Sequence, residues 1–232
     1  MKKILLFDVD GTLLDFHAAE TCALNQLMND CKITDKENAL NTYHRINSAL
    51  WKRIEEGTIT QSRLKIQRFE EFIDEMKLDF EADTLAQVFM DYLSKGTQLI
   101  DYAYETLESL SQKYDCHIVT NGITYIQKNR ISHSSIYPFI KELFISEEMR
   151  VSKPDPKYFD IVRQKLNPDT DDLLIVIGDS LSSDMQGALL SNLKCIWYNP
   201  KHQKTELKLD GIISDLRELE KTIEQIYNKT IR

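Results

Sequence analysis

Asp8-Val9-Asp10-Gly11-Thr12 places two carboxylates two residues apart, directly after the apolar run Ile4 to Phe7. Three later segments offer groups of complementary chemistry: Thr120-Asn121-Gly122, Ser152-Lys153-Pro154-Asp155-Pro156, and Gly178-Asp179-Ser180 with Asp184 shortly beyond. Gathered together they supply carboxylates, a hydroxyl, an amide and one ammonium, a set suited to phosphoryl transfer onto a carboxylate. Clustered Asp oxygens make a hard site for Mg2+, which prefers one or two carboxylates plus waters and a phosphate oxygen. Such a cation cancels the repulsion between a carboxylate nucleophile and a phosphate ester. In that chemistry Lys153 and Thr120 hold the remaining phosphate oxygens. Asp10 stands beside the leaving oxygen, passes it a proton, and then takes one from the hydrolytic water.

Taken singly, each segment has a plainer reading. Lys153-Pro154 stops a helix, Gly178-Asp179-Ser180 makes a turn and an N-cap, and Thr120-Asn121-Gly122 is a tight turn. Their joint order decides the case, because each lies just past its own apolar run. Those runs are Ile4 to Phe7, His117 to Val119, Leu143 to Ile145 and Leu173 to Ile177, followed by Cys195 to Tyr198 and Ile212-Ile213. Strands separated by helical patterns predict a parallel sheet with right-handed crossovers. In open parallel sheets, ligands bind beyond the carboxyl ends of the strands.

From Phe16 to Tyr92 the pattern is different. All five prolines follow residue 137, and apolar residues recur at three and four, as in Leu24, Leu27, Met28 and Ile46, Leu50, Ile54. This predicts four helices with Gly57-Thr58-Ile59-Thr60 as the central break. The expected architecture is therefore an α/β core, residues 1–15 plus 93–232, with a helical domain of residues 16–92 inserted after the first strand.

The 232 residues carry 29 basic and 37 acidic side chains, a net charge of −8, with 42% hydrophobic residues. An acidic balance argues against a nucleic acid polymer or an anionic membrane as partner, since both select for clustered Lys and Arg. The start, Met1 to Phe7, briefly imitates a signal peptide, but Asp8 and Asp10 cut the apolar run short. No other stretch approaches the roughly 20 apolar residues of a membrane span. Cys22, Cys31, Cys116 and Cys195 form no C-x-x-C pair and are expected as reduced, buried thiols, and the five histidines show no metal-ligand spacing. A cytoplasmic location and no obligate protein partner are the expectations.

At these residues the sequence resembles the haloacid dehalogenase (HAD) superfamily, whose four motifs occur here in order: Asp8 to Thr12, Thr120, Lys153, and Gly178-Asp179 with Asp184. The resemblance implies a Rossmann-like parallel sheet and a helical C1 cap that selects the substrate. It also implies that Asp8 is the nucleophile that becomes an aspartyl phosphate and that Asp10 is general acid, then base. Asp8, the Asp10 backbone carbonyl and Asp179 would hold Mg2+, supported by Asp184. Thr120, Asn121 and Lys153 would bind phosphate.

Within that family, Asn47 to Trp51, Gly57 to Thr60, Arg68-Phe69-Glu70 and Ile145 to Glu148 resemble the YjjG-type noncanonical pyrimidine nucleotidases. That resemblance implies pyrimidine nucleoside 5'-monophosphates such as UMP, dUMP and dTMP as substrates. Asn47 and Trp51 are four apart and share a helix face, so an amide and a large ring can meet a base together. Core packing competes for Trp51, and a solvated face competes for Arg63, Lys65 and Arg68. Phe16 divides between touching the leaving group and packing the hinge.

Other readings remain open at this point. A phosphomutase, or a phosphatase for a sugar phosphate or phosphoglycolate, would share every motif. A dehalogenase has no use for Asp10, and a phospho-accepting signalling domain would place its accepting Asp on a later strand.

Overall fold

The computed structural model describes residues 3–169 and 172–230. Strand β1 (Lys3–Phe7) leads into four consecutive helices, α1 (Phe16–Asp30), α2 (Lys36–Glu55), α3 (Gln61–Met76) and α4 (Ala82–Leu93). Helices and strands then alternate through α5 (Ala103–Ser111), β2 (Asp115–Thr120), α6 (Thr124–His133), β3 (Leu143–Ile145), α7 (Ser146–Met149) and α8 (Pro156–Leu166). The last part holds β4 (Leu173–Gly178), α9 (Gln186–Leu190), β5 (Lys194–Tyr198), β6 (Gly211–Ile213) and α10 (Leu219–Thr230). The chain parts into two compact units, Met1–Phe16 with Thr97–Arg232, and His17–Gly96.

In the first unit six strands form one sheet in the order β3-β2-β1-β4-β5-β6, every neighbouring pair parallel. The crossovers run outward from β1 in one direction and from β4 in the other, so the strand order switches between these two neighbours. At such a point the loops diverge and leave a crevice beyond the strand ends. Pairing of Phe7 with Ile177, and the bond from Asp8 N to the Ile177 carbonyl (2.8 Å), put the residues after β1 beside those after β4.

Side chains alternate across each strand, so a sheet covered on both faces reads as unbroken apolar runs. Leu5, Phe7, Ile118, Ile175, Ile177 and Ile196 bury on one face. Ile4, Leu6, Val119, Val176, Cys195 and Trp197 bury on the other. Each such aliphatic side chain stabilises the fold by about 1.5–3 kcal/mol relative to leaving it exposed. The segments before and after the helical block pair with each other: Asp15 N bonds Gln98 O and Ile100 N bonds Leu13 O, both 2.9 Å.

The four helices of the second unit arise from their three-and-four apolar spacing and their caps. Asp35 accepts from Asn38 N at the start of α2, and Thr60 accepts from Arg63 N at the start of α3. Gly57 takes a positive φ of 71° in the turn between them. Tyr43, Phe69 and Phe89 meet at ring-centroid distances of 5.4 to 5.8 Å in the centre of this unit.

Among the described residues no helix is long and apolar enough to cross a membrane. The four cysteines form no disulfide; Cys116 and Cys195 are buried, but Cys31 is only half-buried and Cys22 is exposed, contrary to the expectation of buried thiols. It lies on the polar side of α1, whose buried face is carried by Ala19, Ala23, Leu24, Leu27 and Met28.

Candidate active site

The site grows from the ends of β1, β2 and β4 and the loop before α8. Asp8 directly follows β1, and its carboxylate lies with those of Asp179 and Asp184, one oxygen of each within 4.8 Å of the others. Three close anions require a counter-charge, and Lys153 supplies it. Its Nζ donates to Asp8 Oδ1 (2.8 Å), Asp184 Oδ1 (2.6 Å) and the carbonyl of Val119 (2.7 Å). An ammonium has three donors, so Lys153 is fully satisfied by protein.

Two glycines make this crowding feasible. A Cβ on Gly178 would stand 2.3 Å from Asp184 Oδ2, so only a residue without a side chain lets Asp184 fold back over the end of β4. The single π-helical turn Leu181–Met185 carries Asp184 there, with Ser180 N donating to Asp184 Oδ2 at 3.1 Å. Gly11, at φ +88°, would place a Cβ 2.5 Å from Asp179 Oδ2. Both demands apply: the left-handed backbone favours glycine, and the Asp179 carboxylate occupies the space. The Asp179 carbonyl is anchored by Trp197 Nε1 at 2.8 Å.

The electrostatics follow from burial and proximity. Burial pushes the Asp8 carboxyl well above the ordinary carboxylate range, Lys153 pulls against it, and Asp184 and Asp179 add to the rise. Asp179 is pushed up to about 6, by burial first and by Asp184 next. For Lys153 burial opposes the charge, and the Asp184 and Asp8 carboxylates more than offset it, so its pKa is raised. A set of hard oxygens held at the expense of mutual repulsion fits a small divalent cation, and among the described residues Asp8, Asp179 and Asp184 form the group able to hold one.

Thr120 ends β2 with its hydroxyl buried. Its oxygen accepts from Gly122 N (3.1 Å) and from Gln127 Nε2 (3.0 Å). Both lone pairs are then engaged, and the hydroxyl proton is left to donate to an anion. Asn121 plays a different part: its amide donates to the Lys153 carbonyl (2.8 Å) and accepts from Lys153 N (2.9 Å). It clasps the Lys153 backbone to the end of β2. Glu147 of α7 accepts from Thr124 N at 2.8 Å and so fixes the start of α6 behind this turn.

Asp10 turns toward α6, where Gln127 Nε2 donates to its Oδ2 at 2.6 Å and Arg130 Nη1 pairs with its Oδ1. Sequence reasoning missed both partners. The available signal was two long polar residues, three apart, on the same helix as the apolar Ile126 and Ile131. The Phe16 ring lies 5.6 Å from the Arg130 guanidinium, so Phe16 packs on a residue of the core unit.

The remaining expected residues lie in the helical unit. Asn47 is buried and donates to Glu20 Oε1 at 3.1 Å. Its own Oδ1 has no partner among the described residues. Trp51 is half-buried on the same helix. Arg68 is 3% exposed, with its guanidinium over the rings of Phe69 (5.3 Å) and Phe89 (4.7 Å). It is therefore no part of a solvated face, whereas Arg63 is, pairing with Glu70 at the surface.

Acidic groups, one lysine and one hydroxyl at the switch point of an open parallel sheet define a site suited to an anionic substrate on a doubly wound α/β fold. The haloacid dehalogenase-like hydrolase family matches residues 5–198, and the chain belongs to that family. The HAD-hydrolase YfnB of Bacillus subtilis is 37% identical over 198 residues, 85% of this chain and 84% of that protein. Its magnesium-bound crystal structure superposes with a TM-score of 0.88, covering 96% of this chain and 98% of that one. The pyrimidine 5'-nucleotidase PynA of Streptococcus pneumoniae is 37% identical over 86% of this chain and 85% of its own. The pyrimidine 5'-nucleotidase YjjG of Escherichia coli is 29% identical over 94% and 96%.

Proposed function

We propose that this chain is a Mg2+-dependent phosphatase that works through an aspartyl phosphate and acts on pyrimidine nucleoside 5'-monophosphates. The observation that carries the reading is Lys153 holding Asp8 and Asp184 beside Asp179, with a second acid, Asp10, two residues after Asp8 and held instead by Gln127 and Arg130. Mg2+ held by Asp8, Asp179 and the Asp10 backbone carbonyl, with Asp184 in support, would neutralise charge between the nucleophile and the phosphate ester.

In this reading an Asp8 carboxylate oxygen attacks phosphorus while the phosphorus–ester oxygen bond breaks, and the Asp10 carboxyl gives its proton to the leaving alcohol. Water then attacks the phosphoenzyme phosphorus, its proton passes to the Asp10 carboxylate, and the bond from phosphorus to Asp8 breaks to release phosphate. The free Thr120 hydroxyl proton donates to a phosphate oxygen, the Lys153 ammonium binds phosphate through its positive charge beside Asp8, and Asn121 serves by fixing the Lys153 backbone. The nucleotide preference rests on the likeness to PynA and YjjG. Residues 16–92 act as the substrate-selecting cap, with Phe16, Asn47, Trp51 and Arg68 as its specificity residues.

The test is phosphate release from UMP, dUMP, dTMP, AMP, GMP, glucose 6-phosphate, β-glucose 1-phosphate and phosphoglycolate, each with Mg2+ and with EDTA. Mg2+-dependent preference for the pyrimidine nucleotides is the expected result. Activity on a sugar phosphate or phosphoglycolate instead keeps the mechanism and removes the nucleotidase assignment; release unaffected by EDTA removes the metal.

A further inference from the structure

Both oxygens of the Asp10 carboxylate are engaged by protein side chains, and both partners come from one face of α6. Gln127 Nε2 donates to Oδ2 at 2.6 Å and Arg130 Nη1 pairs with Oδ1. Neither partner faces bulk water, since Arg130 is 0% and Gln127 1% exposed. Phe16 covers the guanidinium at 5.6 Å, so the pair is shielded on that side.

Gln127 does more than hold Asp10. The same amide nitrogen donates to Thr120 Oγ1 at 3.0 Å, and thereby links the acid to the hydroxyl offered to phosphate. The link depends on Gly122, where a Cβ would stand 2.3 Å from Gln127 Nε2. Gln127 thus joins Asp10, 117 residues before it, to Thr120, seven residues before it, from a buried position on α6.

Resting on the phosphatase reading above, we infer that Gln127 and Arg130 are positioning residues for Asp10. They fix the direction of its carboxyl group, and Gln127 ties that direction to the placement of Thr120. Orientation matters because a proton must reach the leaving oxygen as its bond to phosphorus breaks, and a misdirected acid loses most of its rate advantage. An alkoxide leaving group needs that proton, whereas p-nitrophenolate leaves without one. Attack on phosphorus by Asp8 is then separable from the work of Asp10.

The experiment uses the full chain with Mg2+ and compares wild type, Arg130→Met, Arg130→Lys, Gln127→Leu and Asp10→Asn. Quench-flow follows p-nitrophenolate release and acid-stable phosphoenzyme, and steady-state assays use an alkyl phosphate that the wild type turns over, uridine 5'-monophosphate on the reading above. For Arg130→Met and Gln127→Leu, kcat on the alkyl phosphate should fall about 10- to 100-fold with KM within about threefold. The Arg130→Met burst should keep its rate while phosphoenzyme accumulates, the Gln127→Leu burst should slow by less than its alkyl phosphate turnover because that change also releases Thr120, and Arg130→Lys should recover part of kcat. Combining Arg130→Met with Asp10→Asn should add little to the loss from Asp10→Asn alone.

Equal losses in the burst and in alkyl phosphate turnover, or a double variant whose losses multiply, would overturn the positioning role. If Arg130→Met does not fold, Gln127→Leu and Arg130→Lys carry the same comparison. Absence of phosphoenzyme in the wild type would instead overturn the phosphatase reading, and this inference with it.

Discussion

Lys153 Nζ sits 2.6 Å from Asp184 Oδ1, and both side chains are 1% exposed. The pair comes from different segments of the core unit, and it is the buried counterpart of the more accessible contact from Lys153 to Asp8. Removing one partner of a buried ion pair leaves the other uncompensated, which generally destabilises far more than the intact pair stabilises.

Lys153→Met is expected to lower unfolding free energy by about 3–5 kcal/mol, because Asp8 and Asp184 are then left facing each other without a cation. Urea titration with and without Mg2+ checks this, and added Mg2+ should restore part of the loss. A variant as stable as wild type in EDTA would show that the carboxylates are relieved by protonation alone.

Asp8→Asn should abolish turnover and phosphoenzyme formation while nearly preserving shape. It removes one of the mutually repelling carboxylates, so its unfolding midpoint in EDTA should equal or exceed that of wild type. Asp10→Asn should still form phosphoenzyme from p-nitrophenyl phosphate and hydrolyse it slowly. Substantial Mg2+-dependent turnover by Asp8→Asn would remove it as nucleophile.

Gly178→Ala puts a methyl group where Asp184 now stands, and Gly11→Ala does the same to Asp179. Overpacking of this kind costs about 1–3 kcal/mol, and here it also displaces a carboxylate. Each variant should need more Mg2+ for half-maximal activity, measured by titrating the metal at saturating substrate. Loss of stability with an unchanged Mg2+ requirement would make both glycines purely structural.

The pH dependence has a definite sign. The folded-state pKa values of Asp8 and Asp179 lie above ordinary carboxylate values, Asp179 at about 6. Across that window the folded chain binds more protons than the unfolded one, so these groups lower metal-free stability as pH rises toward and through about 6. Mg2+ binds the ionised carboxylates, so its affinity rises over the same range. The Tm difference between Mg2+ and EDTA should be small near pH 5 and grow as pH rises through about 6. A difference that does not change as pH rises through about 6 would speak against carboxylate ligation.

In the helical unit, Asn47→Leu and Arg68→Met are expected to reduce preference among nucleotides more than they reduce turnover of p-nitrophenyl phosphate. The readout is the ratio of kcat/KM for UMP to that for AMP. An unchanged ratio in both would assign Asn47 to its bond with Glu20 and Arg68 to its packing on Phe69 and Phe89.

What the sequence determined on its own was local: the strand runs, the four helices α1 to α4, and the turn residues Asp8 to Thr12, Thr120 to Gly122 and Gly178-Asp179 at their strand ends, whereas Lys153-Pro154, expected just past β3, is set off from it by α7. These are legible because apolar periodicity and turn chemistry are written within a few residues of each other. Tertiary structure alone decided which strand lies beside which, and hence that Asp8 and Asp179 adjoin across β1 and β4. It alone decided that Lys153 bridges Asp8 and Asp184, that Asp10 meets Gln127 and Arg130, and that Asn47 meets Glu20. Buried polar side chains must find partners, but a partner 27 to 145 residues away leaves no period in the sequence. On α6, Gln127 and Arg130 read as ordinary polar helix residues until the fold brings Asp10 against them.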